Sequence, residues 1–458
     1  MAPDKRTERD SLGEVVLPAD AAWGAQTQRA VDNFTFSGYP MPAALRRSVG
    51  LVKAAAANAN AELGRLDPDA ARAVRETALQ IWQGELGDAF PVEVFQTGSG
   101  TSWNMNANEV IARLAAHRLG SRLHPNDHVN MGQSSNDVIP TAINLACLEL
   151  LEPLCSSVDA LAAALRSKGQ EFADIVKLGR THLQDAVPVR LGDAFAAVAA
   201  QLAEGTAAVR GSIDSLRVVA LGGTAAGTGL NTHPQFAAAA CRFVSESIGY
   251  EIQPAAVPSA EMNSRLPQVQ LMGALQLLTA TLQRWCIDLR LMSSGPNGGL
   301  GEINLPELQP GSSIMPGKIN PVIPEAVQQL AVHVQGKVAV VAQAAAQGPL
   351  ELNIMFPLIA WETLESMRLL KNACDGLRRR CIEGITANPQ ICREQVERSL
   401  ALITRVADDI GYDRAARIAL QAQRERRSLR DVLMTDEGFS AAECDRLLDP
   451  LTMLPPFS

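Results

Sequence analysis

Residues 271–292 read LMGALQLLTATLQRWCIDLRLM, with large apolar side chains at Leu271, Leu275, Leu278, Leu282, Trp285, Leu289 and Met292. The steps alternate four and three. Their mean of about 3.5 residues is the period of a helix face packed at a small crossing angle against its neighbours. A strand would repeat every two residues, which this stretch does not do.

The pattern recurs. Ile143, Cys147, Leu150, Leu154, Val158, Leu161 and Leu165 form a second stripe, with Pro153 expected to kink or split its helix. Val327, Leu330, Val334, Val338 and Val341 form a third, and Met367, Leu370, Cys374, Leu377 and Cys381 a fourth. The Ala-rich residues 191–218 also read as helix. Five long helices of this kind, without a series of alternating strands, predict an all-α fold built on an antiparallel bundle. The turn-rich HPNDHVNMGQSSND (124–137) precedes the first long helix and ITANPQ (385–390) ends the last. These breaks predict an N-terminal domain over 1–137, a central long-helix bundle over 138–388 and a small C-terminal domain over 389–458.

Composition narrows the function. The formal charge is −8 over 458 residues with no basic block, which gives no support to a nucleic-acid or membrane-surface role. Apolar residues reach 47% and aromatics only 4%, the filling of long Leu-, Val- and Ala-rich helices. The start, MAPDKRTERDSLGE, has no apolar signal core, and no run of 18 uncharged apolar residues occurs, so a cytoplasmic location is expected. Eight scattered cysteines without a C-x-x-C pair fit a reducing compartment better than a disulfide framework or an iron–sulfur cluster.

Chemistry concentrates in the stretches between helices. In GSSIMPGKINP (311–321), Pro321 and Pro324 are tolerated only in a first helical turn, which places Asn320 near a helix cap. The free N–H groups of that helix and the charge of Lys318 then suit an anion, although a capped helix start with a solvated lysine explains the same spacing. A phosphate loop is excluded, because five residues separate Gly311 from Gly317 and Ile319 follows the lysine. A carboxylate fits better than a nucleotide phosphate. QTGSGTSWNMNANE (96–109), HPNDHVNMGQSSND and GRTHLQD (179–185) share the same small, hydroxyl-rich character. Each alone reads as a surface turn, but four together beside apolar helices suggest polar groups awaiting a bound polar ligand. A lone His182 is more often structural than catalytic. His124 and His128 lie across a turn, so no metal site is expected. LGGTAAGTGLN (221–231) lacks G-x-G-x-x-G and reads as a backbone turn.

Taken together, these stretches resemble the fumarase/aspartase superfamily over nearly the whole chain. GSSIMPGKINP matches the family's signature loop. QTGSGT, HPND, QSSND and GRTHLQDA match its other active-site segments in order, as does the opening GEVVLPADAAWGAQTQRAVDNF. The resemblance implies a homotetramer of three-domain helical subunits whose central helices form one large bundle, with each active site built from three chains. It implies trans-elimination of water or an amine from a C4 dicarboxylate to give fumarate, with no cofactor and no metal, as in the metal-independent fumarases. It makes Ser312 the carbanion-forming base, His182 the group that protonates the leaving hydroxide through water, and Glu325 the acid that orients that histidine. Ser99, Gly100, Thr101, Ser134, Ser135, Asn136, Thr181, Ser313, Lys318, Ile319 and Asn320 become the substrate-binding set. His124, Pro125, Asn126 and Asp127 match a secondary dicarboxylate site.

Both branches of the superfamily leave marks. QTGSGT, QSSND and LGGTAAGTGLNTHP look like fumarase, whereas THLQDAVPVRLG, NFTFSGYP, NPVIPE and GITAN look more like aspartase. The second serine of QSSND favours water over ammonia as the leaving group. Trp103 and EMNSRLP (261–267) match neither branch, which keeps open a lyase of a larger substituted succinate. A silent helical scaffold is disfavoured because the base, the lysine and the histidine are all present.

Overall fold

The computed structural model describes residues 5–454; residues 1–4 and 455–458, the outer ends of the expected N- and C-terminal domains, lie outside the described residues. All five long helices form, as Ser135–Glu171, Leu191–Arg210, Leu266–Met292, Val322–Ala345 and Phe356–Arg380. Every member of the Leu271–Met292 stripe is buried, and so is every member of the Met367–Cys381 stripe. Strands among the described residues are short and pair two by two into small ribbons. The fold is all-α.

Several details depart from the periodic reading, and in the Val327–Val341 stripe Leu330 and Val338 are only half-buried. Pro153 does not split its helix, which runs unbroken past both Pro140 and Pro153. Glu149, whose carbonyl loses its partner to Pro153, is exposed, so water can satisfy it. On the same helix residues 141–148 are all buried, so the apolar surface there is wider than one stripe, and Leu151 takes the buried place expected of Leu150. The Ala-rich helix ends at Arg210, and a glycine turn with the four-residue helix Ile213–Leu216 occupies the rest of 191–218.

The chain divides into two compact units. One comprises Met1–Ser156, Gly205–Thr279 and Val332–Lys371. Within it the helices Ala43–Glu62, Pro68–Trp82 and Thr101–Leu119 pack around alanine-rich faces. The other comprises Ser157–Glu204, Ala280–Ala331 and Asn372–Ser458. Its core joins Phe172, Phe195 and Trp285 edge to face, with ring centroids 5.3 and 4.9 Å apart. A further apolar cluster gathers Leu178, Val396, Leu402, Val406, Ile418 and Leu433.

Among the described residues one helix, Ser135–Glu171, is long and apolar enough to cross a membrane, but 78% of its most apolar window is buried inside the protein. It is a core helix by its packing.

Leu282 is fully buried in the Leu271–Met292 stripe, so shortening it would leave a cavity. Leu282→Ala is expected to cost about 2–5 kcal/mol, read as a lower urea midpoint at unchanged slope.

Candidate active site

In the first unit the QTGSGT and QSSND stretches come together. Ser99 Oγ lies 2.7 Å from Thr101 Oγ1, which lies 2.9 Å from Ser135 Oγ. Asn136 continues the group, its Nδ2 donating to the Ala225 carbonyl at 2.8 Å and its N–H to Ser134 Oγ at 3.2 Å. Thr101 and Ser135 each open a helix, so unpaired backbone N–H groups adjoin these hydroxyls. Gly98 lets the QTGSGT stretch lie directly against residues 354–356. A Cβ there would sit 1.9 Å from the Ile354 carbonyl oxygen, and its own carbonyl accepts from Phe356 N–H at 3.0 Å.

Beneath these hydroxyls lies a carboxylate that motif reading passed over. Asp137, fully buried, accepts from Ser134 N–H at 2.8 Å and from Gly222 and Thr224 N–H at 3.0 Å each. It thereby ties the substrate-contact segment to the LGGTAAGTGLN turn. Burial pushes its pKa up to about 6 against these hydrogen bonds and the nearby charge of Lys53. Lys53 is itself fully buried, and desolvation drives its pKa down to about 7. Sequence signals existed for both: Ser134 and Asp137 stand in the S-x-x-D spacing of a capped helix start, and Lys53 interrupts the apolar run SVGLVKAAAA.

In the second unit the strands Val176–Thr181 and Gln184–Arg190 form a hairpin in which Thr181 pairs with Gln184. His182 and Leu183 are therefore its two turn residues, both at positive φ (55° and 60°). Such a turn favours Asn-Gly, so His-Leu stores strain of about 1–3 kcal/mol per residue at the exposed tip. Glu302 holds the hairpin base. Its fully buried carboxylate meets Arg180 at 2.5 Å and Lys177 at 3.1 Å, and Arg180 also donates to Gln395 at 2.8 Å.

The signature loop closes on itself. Gly311 N–H donates to the Lys318 carbonyl at 2.8 Å, and Asn320 Nδ2 donates to the Gly311 carbonyl at 2.6 Å. Only glycine fits at 311, since a Cβ would lie 2.3 Å from the Lys318 carbonyl oxygen. Ser312 Oγ accepts two backbone N–H groups, from Ile314 at 3.2 Å and Met315 at 3.1 Å. Ser313, Lys318 and Ile319 are exposed, and Glu325 is half-buried in the first turn of the next helix. Among the described residues no hydrogen bond or ion pair joins His182 to Glu325, or the 179–185 turn to the 311–321 loop.

His124, Pro125 and Asn126 line a cavity of about 630 Å³ together with Arg9, Arg113 and Arg122. The segment is a single wide helical turn, Pro125–Val129, in which His124 Nδ1 accepts from Asn126 and Asp127 N–H at 3.2 Å each. Trp103 is wholly buried, with its indole N–H on the Val92 carbonyl at 3.0 Å, so it packs instead of presenting a face to a ligand. EMNSRLP has a similar account. Arg265, fully buried, donates to the Glu261 carbonyl at 2.8 Å, the Pro140 carbonyl at 3.2 Å and Asn144 Oδ1.

Residues 13–336 match the family model described as lyase, and residues 402–455 match the fumarase C C-terminus. The chain belongs to the fumarase/aspartase superfamily of lyases. It is 47% identical to a class II fumarate hydratase of Halobacterium salinarum over 98% of this chain and 97% of that protein. It is 46% identical to a second one, from Pseudomonas aeruginosa, over 98% of each. The crystal structure of class II fumarase from Schistosoma mansoni superposes with a TM-score of 0.95 at 34% identity, covering 99% of this chain and 100% of that one.

Removing one partner from a buried charge cluster leaves the rest uncompensated. Asp137→Ala is expected to destabilise the protein by about 3–5 kcal/mol, because three N–H groups and the Lys53 ammonium lose their acceptor or counter-charge. Urea unfolding of the variant against the parent checks it.

Proposed function

We propose that this lyase catalyses the reversible trans-elimination of water from (S)-malate to fumarate, with Ser312 removing the proton. The observation that carries the reading is the pair of backbone N–H groups on Ser312 Oγ. A free serine is far too weak a base, and two fixed dipoles favour its oxyanion and so raise the fraction able to accept a proton. Proton loss beside a carboxylate puts negative charge on the carboxylate oxygens. Lys318 and loop N–H groups are the donors suited to that charge. Asn320 serves mainly to close the loop, its Nδ2 donating to Gly311.

His182, oriented by Glu325, then returns a proton through water to the departing hydroxide, and imidazole is the side chain suited to both giving and taking one. Ser99, Gly100, Thr101, Ser134, Ser135 and Asn136 bind the substrate carboxylates, with Thr181, Ser313 and Ile319 lining the remainder. His124, Pro125, Asn126 and Asp127 form a secondary dicarboxylate site; its cavity is lined by Arg9, Arg113 and Arg122 and equally by Glu8, Asp10 and Glu109. Water as the leaving group is supported by Ser135, whose hydroxyl lies beside the Thr101 hydroxyl and the Asn136 amide oxygen. Eight buried free thiols support a reducing, cytoplasmic setting. The chain reads along its length as an N-terminal domain (1–137), a bundle (138–388) and a C-terminal domain (389–458).

Absorbance near the ultraviolet edge tests the reaction. Fumarate should form from malate and not from aspartate; rapid aspartate turnover with inert malate would transfer the chain to the ammonia-lyases. Ser312→Ala should lower kcat by about a hundred- to a thousandfold or more with the fold intact, whereas Lys318→Ala should impair kcat and KM together.

The proposal includes a homotetramer whose sites are each assembled from three chains. Ile314 is 82% exposed on the signature loop and Leu183 73% exposed on the histidine turn, apolar side chains that a neighbouring subunit would cover. His182→Ala and Lys318→Ala, each inactive alone, are to be dissociated, mixed and reassembled. A site is whole only when its histidine comes from the Lys318→Ala chain and its lysine from the His182→Ala chain, about a quarter of sites on random assembly. Recovery to about that fraction is expected, and dead mixtures despite proven subunit exchange would refute shared sites.

A further inference from the structure

Lys53 is a fully buried ammonium that the proposed chemistry does not use. It sits in the helix Ala43–Glu62, in the middle of ten consecutive buried residues, 48–57. Its Nζ donates to Asn130 Oδ1 at 2.9 Å and to Gln133 Oε1 at 3.0 Å. Asn130 Oδ1 also accepts from Asn104 and Asn108 Nδ2, each at 3.2 Å, and Asn130 Nδ2 donates to the Gln133 carbonyl at 3.1 Å. Gln133 Nε2 in turn donates to the Val129 and Met131 carbonyls at 3.0 and 3.2 Å. The segment 129–133 is thus knitted from inside by amides, with one cation at the centre. Ser134 follows Gln133 directly, and Asp137, the opposite charge facing Lys53, clamps Ser134 N–H from the other side.

A buried charge is costly, and a methionine would fill the same space without that cost. Stability alone therefore gives a weak reason for a lysine here. The arrangement has a different consequence. Its two amide oxygens belong to Asn130 and Gln133, four residues and one residue before Ser134, so the cation fixes where the substrate-contact segment starts.

We propose that Lys53 is a positioning residue for substrate carboxylate binding, acting through Asn130 and Gln133 to hold Ser134, Ser135 and Asn136 in place. This rests on the reading of Ser134–Asn136 as carboxylate contacts. The cation does not touch the substrate; it keeps the pre-arranged donors from relaxing, which is how a supporting layer preserves affinity.

The test separates binding from turnover in the full-length protein. Lys53→Met removes the cation at similar volume, and Gln133→Met removes one of its two acceptors while Asn130 remains. KM for malate should rise about tenfold in Lys53→Met and about threefold in Gln133→Met, with kcat within about threefold of the parent in both. Succinate, an unreactive dicarboxylate, should lose affinity in parallel by titration calorimetry. Unchanged KM and succinate affinity in folded variants, or a fall in kcat at unchanged KM, would overturn the proposal. Should Lys53→Met fail to fold, Gln133→Met decides alone by the same criteria. A parent protein inert towards malate would sink the hydratase reading instead, and succinate titration would still decide the role of Lys53.

Discussion

The buried carboxylate of Asp137 joins two backbone segments that otherwise share no regular structure. Three N–H groups converge on it, one from Ser134 and two from the turn at Gly222 and Thr224. An unpaired carboxylate at this depth would be strongly unfavourable, so the three donors and the opposing Lys53 are a requirement, not an embellishment. The position of the Thr101 and Ser135 hydroxyls and of the Asn136 amide follows from that requirement. The two loops can be glycine-rich, and therefore close to a ligand, because a side chain and not a strand ladder supplies their backbone partner.

The second unit also buries a carboxylate, there held by two cations instead of backbone N–H groups. Glu302 lies buried between Arg180 and Lys177, and this ion cluster grips the base of a two-stranded hairpin whose own ladder is short. A firm base allows a strained tip. His182 and Leu183 occupy positive φ without being glycine or asparagine, and the rest of the hairpin is what keeps them there. The signature loop uses neither helix nor sheet. It is closed by one backbone bond and one asparagine amide, and in closing it turns two N–H groups onto Ser312.

These devices share a logic. Helices with a 3.5-residue apolar period supply rigid supports, and the chemistry-bearing residues sit on short connections where backbone dipoles are free. The supports are apolar and tolerate few polar groups, so each buried charge that persists has a partner close at hand: Lys53 with Asn130, Gln133 and Asp137, Arg265 with Asn144, Lys337 with Glu362. Polar groups in such surroundings are worth more and cost more than at the surface, and that makes them good rulers for the loops they touch.

Much of this was written in the sequence. The stripes from Leu271 to Met292 and from Met367 to Cys381 gave the helices directly, because a buried face must repeat with the helical period. The signature loop, the T-H pair and the QSSND segment were legible because glycine, proline and hydroxyl residues have few other reasons to cluster. The longer reach was not legible. That Trp103 fills a core, that Leu151 replaces Leu150, that Arg265 fastens a segment more than a hundred residues away, and that Asp137 accepts from Gly222 and Thr224 all depend on contacts between distant parts of the chain. Sequence period states which residues must be buried on average. Only the folded chain decides which partner a buried charge meets, since that partner is set by packing and not by spacing.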